Sequence, residues 1–230
     1  KKISHNIQQD EIINYICDTM NDIYCNIVIQ DDINKNKKTL ESKTLRKNIS
    51  NNDILFIPFL DSGNIVKNVS IEKTIRTSDF IEKYSYGLLV DLTGKNQIGA
   101  ILNSGIKLYD TDVDDVCRLI FNIDSRKIRY LNRFFLFNFP SNYLNIDVSR
   151  EKITSLNEDV IESDFKINLM GEMSKQVIEY INLCKIGETT NTALSLHLLM
   201  MTLVQICKQD SELSRFRNEL MSIRYVLYIR

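Results

Sequence analysis

FFLFNFPSNYLNIDVSREKI, Phe134 to Ile153, runs from an aromatic segment through Pro140 into a polar stretch that carries an arginine. The first part, Arg133 to Phe139, predicts a strand, because bulky aromatic side chains pack well on a pleated surface. The second part, NIDVSRE from Asn145 to Glu151, predicts a polar loop leaving that strand. The guanidinium of Arg150 is a fixed fork suited to a phosphate, and Ser149 and Glu151 stand beside it to hold it by hydrogen bonds and charge. No GxxxxGK[ST], GxGxxG or HExxH occurs in the chain. The arginine therefore has no nucleotide or metal motif of its own to serve, and the expectation is a site completed by another domain.

Upstream, Ile12, Ile16, Met20 and Ile23 share one face of a predicted helix over Gln9 to Ile23. CNIVIQ, Cys25 to Gln30, reads as a strand, and the Lys- and Asn-rich Asp31 to Asp53 as a long polar excursion. ILFIPFL, Ile54 to Leu60, is a second strand whose Pro58 places it at an edge or at a strand end. YGLLVDL (Tyr86 to Leu92) and IGAIL (Ile98 to Leu102) are separated by TGKN, and NSG at Asn103 to Gly105 leads into IKLYD. Those turn residues predict a three-strand antiparallel meander. A short helix is expected near Asp112 to Phe121.

Downstream, Ile161, Phe165, Leu169, Met173, Val177 and Ile181 recur at every fourth position and predict one long helix, with Gly171 in its middle. After a break at KIGETTN, two more helical patterns cover Thr192 to Lys208 and Ser211 to about Leu227, the latter entered through Asp210 and Ser211 as capping residues. The predicted class is α+β: a mixed sheet with packed helices over residues 1–155, followed by a helical segment over 156–230. No internal repeat is present.

The 230 residues are 43% hydrophobic and 26% charged, which suits one domain of generous size or two small ones. With 29 basic against 30 acidic residues, overall charge draws the chain to neither nucleic acid nor an anionic membrane. The apolar stretch Ala193 to Val204 falls short of the roughly 20 residues needed to span a bilayer. Five scattered cysteines, with no CxxC pair, predict free thiols and a reducing, cytoplasmic setting. With only His5 and His197, no metal site is expected. The chain opens at Lys1 with no signal peptide, which reads as a fragment.

In this order of elements, LNIDVSREKI before a long helix resembles the middle domain of Hsp90-type proteins. Leu144, Ile146, Val148, Ser149, Arg150, Glu151 and Ile153 match that family's S-R-E segment, and GAILNSGIKLYDTDV is similar to its preceding strand pair. The phage lysis-control group of GHKL ATPases carries similar motifs. The likeness covers about Ile3 to Leu183. It implies a ribosomal-S5-domain-2-like fold and a transducer role: a preceding GHKL domain in cis binds ATP and Mg²⁺, and Arg150 reaches the γ-phosphate, as arginine fingers do. Where the family usually has a glutamine after the arginine, Thr154 and Ser155 stand here, and either can donate a hydrogen bond; the resemblance implies Ser149, Arg150 and Thr154 as nucleotide-contacting residues, with Glu151 supporting the loop. It also implies a client protein or a homodimer partner.

Other readings stand beside this one. The second reading is a non-catalytic protein-interaction or dimerisation module in which Arg150 pairs with Glu151 or another acidic residue and braces the loop. DNA-linked transducers of gyrase and mismatch-repair type use a lysine from a QTK-like loop, and no QTK occurs here. Ser149 reads as a turn or capping hydroxyl, since no histidine is near it in sequence. Asp112, Asp114 and Asp115 precede an apolar helical pattern and read as helix-start residues. His197 reads as a hydrogen-bonded core histidine. Lys35, Lys37, Lys38, Lys43, Arg46 and Lys47 form a basic loop with no interleaved aromatics, hence a solvated one.

Overall fold

The computed structural model describes residues 27–30, 37–40, 54–69, 86–94, 98–108, 110–124, 128, 130–149, 152–183 and 190–229. The predicted helix over Gln9 to Ile23 lies outside them. The class is α+β, with a mixed five-stranded sheet, small two-stranded sheets and packed helices.

Strands β1 (Ile27–Gln30) and β2 (Lys37–Leu40) pair antiparallel, so the polar excursion after Gln30 contains a strand that composition did not reveal. The main sheet is built from β3 (Ile54–Pro58), β4 (Gly87–Asp91), β5 (Ala100–Asn103), β6 (Ile106–Lys107) and β7 (Phe135–Phe139), in the order β3-β4-β7-β5-β6. Pro58 ends an edge strand, where its missing N–H costs nothing.

The expected meander is corrected. Of its three strands, β5 and β6 alone form a hairpin; β4 pairs instead with β7, antiparallel, and β5 pairs with β7 in parallel. The reason lies in burial on both faces. In β7, Phe135, Phe137 and Phe139 enter the larger core while Leu136 enters a second cluster on the opposite face with Ile54, Phe56, Leu89 and Leu102. A strand that is apolar on both sides takes the centre, and the turn residues between β4 and β5 fix only their opposite directions.

Helix α1 (Val113–Phe121) opens with a capping box, in which the Asp112 carboxylate accepts from Asp115 N at 2.9 Å and Asp112 N donates to the Asp115 carboxylate at 3.4 Å. The helix-start reading of these acids holds. A helical turn α2 (Leu131–Phe134) occupies what was expected to be the start of the central strand, which begins at Phe135.

Beyond β7, the strands β8 (Leu144–Ile146) and β9 (Ile153–Leu156) form a hairpin. Helix α3 (Phe165–Leu183) buries Phe165, Leu169, Met173, Val177 and Ile181, the expected stripe, although Ile161 precedes the helix. Helix α4 (Thr190–Gln209) starts inside the expected break. Asp210 then caps a 3₁₀ turn, Ser211–Leu213, that leads into α5 (Ser214–Ile229). Gly171 lets α3 and α5 approach, since a Cβ there would stand 3.1 Å from the Phe216 ring. One hydrophobic core runs from Leu55 of β3 to Leu220 of α5. Among the described residues, no helix is long and apolar enough to cross a membrane.

Candidate functional site

Of the stretch expected as a loop, Asn145 and Ile146 belong to β8, Asp147 to Ser149 follow that strand, and Lys152 leads into β9. The root of the β8–β9 hairpin is fixed by burial. Leu144 and Ile153 are buried on opposite strands, and Tyr143, just before β8, is enclosed among Phe59, Phe139 and Phe165 with ring centroids 5.9–6.2 Å away. The Tyr143 hydroxyl donates to Leu60 O and, at 3.2 Å, to Asn64 O. Burial, with help from the nearby Asp61 charge, pushes the phenol well above its ordinary range. Asn157 N donates to Tyr143 O at 2.9 Å, and Ile153 N donates to the hydroxyl of buried Thr111 at 2.9 Å. The root is thus bonded to the loop before α1 and to the aromatic cluster.

The loop that follows β3 is held with equal care. Glu172 of α3, itself buried, accepts from Asn68 N at 3.1 Å and Val69 N at 3.2 Å. Asn64 Nδ2 donates to the Glu162 carboxylate, and Asn168 Nδ2 donates to Asn64 Oδ1 at 3.0 Å. Gly63 has φ +87°, and a Cβ there would fall 1.6 Å from Val160 O, so only glycine fits.

Toward the tip, exposure rises until Val148 is fully exposed at 103%. Asp147 closes the turn: its carboxylate accepts from Ser149 Oγ at 2.8 Å and from Lys152 N at 3.2 Å, while Asp147 N donates to Lys152 O at 3.0 Å. Thr154 Oγ1 donates to Asn145 O at 2.9 Å. Ser149 and Thr154 therefore spend their hydroxyl protons inside the hairpin, each keeping lone pairs that accept but do not donate. Arg150 and Glu151 lie outside the described residues. In the sequence they stand between Ser149 and Lys152.

The remaining candidates have structural surroundings. Cys117 and Cys207 are buried and free; burial raises both thiols, Cys117 with help from Asp114 and Asp112, and Cys207 to about 12. Neither is a ready thiolate. Burial also raises Asp114, with Asp112 and Asp115 adding repulsion. His197 is half-buried in α4. Lys37 and Lys38 belong to β2, whereas Lys35, Lys43, Arg46 and Lys47 lie outside the described residues. Among the described residues, no group of three or more His, Cys, Asp or Glu side chains could hold a metal ion.

Sequence reasoning missed Asp147 as the turn's clasp, Thr111 as the root's anchor, and β9 altogether. The signal for β9 was weak: ITSL opens with the β-branched pair Ile153 and Thr154, but Thr154 and Ser155 stand side by side and break the alternation of a half-buried strand. Comparison with protein-family models, characterised proteins and solved structures finds no match to this chain.

Proposed function

We propose that this chain is the middle, or transducer, segment of a GHKL ATPase of Hsp90 type, and that the β8–β9 tip presents Arg150 to the γ-phosphate of ATP held by an N-terminal domain in cis. The single observation that supports this most is a hairpin clamped at its root and closed by Asp147 at its tip, with Val148 fully exposed beside the arginine. A rigid root lets the tip reach a neighbouring domain without the ordering cost of a loose loop.

On this reading the chain's own residues position a charge. The Arg150 guanidinium stabilises negative charge on the transferring phosphoryl oxygens. Asp147 and Ser149 hold the turn so that the side chain is aimed before the domains meet. Because the contact exists only when the two domains close, ATP favours the closed arrangement, which is the differential contact a switch requires. On this reading the adenosine and the Mg²⁺ ion that would supply Lewis-acid stabilisation belong to the other domain.

Arg150→Ala in the full-length protein is expected to lower ATP turnover by roughly 10³-fold or more, with little change in nucleotide Kd. Steady-state ATPase rates and nucleotide titrations on wild type and variant measure both; unchanged turnover ends the proposal. The isolated chain is expected to hydrolyse no ATP. The second reading, a non-catalytic interaction or dimerisation module, draws on the bare Val148 side chain, and it predicts that Val148→Asp abolishes partner binding while Arg150→Ala leaves turnover intact.

A further inference from the structure

A cleft of about 520 Å³ opens between α1, the second strand of the hairpin and the turn that leads into α3. Leu119, Leu156 and Ile161 line it and are only half-buried, so folding leaves apolar surface there uncovered. Three charged side chains line it as well: Glu158, Glu162 and Lys166. The Lys166 ammonium is bonded to Asp210 at 2.8 Å and also to Glu212, so two carboxylates outweigh its single charge. Glu162 is bonded by the Asn64 amide, which is neutral and leaves its charge standing. Glu158 is exposed and has no hydrogen bond or ion pair among the described residues.

The cleft thus combines an apolar floor with a negative rim. Anions are repelled by that field. A bare metal ion finds no cluster of ligands among the described residues. A polypeptide segment that carries a large apolar side chain next to lysine or arginine satisfies both features at once, with its apolar group covering Leu119, Leu156 and Ile161 and its cation reaching Glu158 and Glu162. We propose that this cleft docks a basic, leucine- or phenylalanine-bearing segment of a partner protein. This inference does not depend on the role of Arg150.

The test is fluorescence anisotropy of the whole chain with a labelled synthetic peptide that carries a Leu-Phe pair between lysines, and with a counterpart that has glutamates in place of the lysines. The lysine peptide is expected to bind saturably and to weaken as salt rises, and Glu158→Lys is expected to weaken it about tenfold. The same variant, checked for an unchanged circular dichroism spectrum, is expected to bind the glutamate peptide better than wild type does. That exchange of preference is a readout that damage to the fold does not produce. Equal binding of the two peptides by wild type overturns the proposal, as does no saturation at about 1 mM or an affinity that Glu158→Lys leaves unmoved.

Discussion

Asp147 does for the arginine turn what Tyr143 does for the hairpin's root: one side chain satisfies groups from two places in the chain. Tyr143 carries the larger share of the energy, because its ring is fully buried and its hydroxyl bonds two backbone carbonyls. Tyr143→Phe removes this hydrogen bonding while Leu60 O still accepts from Gly63 N and Asn64 O from Leu60 N, so a loss of about 0.5–1.5 kcal/mol is expected in urea unfolding. The pH dependence has a definite sign. Burial raises the phenol in the folded state above its unfolded value of about 10, so its stabilising contribution is complete below that pH and is lost as pH climbs beyond it. Unfolding free energies measured between pH 8 and roughly 11 are expected to fall more steeply for wild type than for Tyr143→Phe. Parallel slopes would show that this phenol does not set the alkaline limb.

At the scale of elements, the helices were the readable part of the chain. Leu169, Met173, Val177 and Ile181 lie on the buried side of α3 as their spacing requires, and Asp112 caps α1 because an acid followed three residues later by another acid matches the two free amides at a helix start. Asp112→Ala is expected to cost about 1 kcal/mol by thermal unfolding, and Asp112→Ser is expected to restore most of it. Two alanine-like outcomes would mean that the box is an ornament of the fold. Sheet order was less legible. A turn between β4 and β5 limits strand direction, but which strand lies beside which is decided by Leu136 and the three alternating phenylalanines of β7, whose partners are far away in sequence. The site was half-legible. NIDVSRE marked the arginine stretch, yet the clasp made by Asp147 and the anchor made by Thr111 depend on β9, a strand with only one buried residue, Ile153. Polar outward-facing residues such as Thr154 and Ser155 conceal such a strand from any search for apolar runs.

At the scale of the whole molecule, the expected boundary between residues 1–155 and 156–230 crosses a continuous core. Phe165 packs edge-on against Phe59 at 5.4 Å, and Leu169, Leu203 and Leu220 belong to the same cluster as Leu88 and Phe137. A fragment ending at Ser155 is therefore expected to lack the cooperative unfolding transition and protected amides of the full chain, because several large apolar side chains each lose about 1.5–3 kcal/mol of burial. Calorimetry together with hydrogen exchange on both lengths checks this, and an independently folded fragment would separate the two halves.

The central place of β7 also governs the timing of synthesis. While a ribosome is still adding the residues after Asn103, β4 and β5 have been made but the strand that joins them has not. The edge of β4 turned away from β3 and the edge of β5 turned away from β6 must wait without a partner until Phe139 has left the exit tunnel. Such a long-range closing step slows folding and leaves a sticky nascent chain for holdase chaperones to cover.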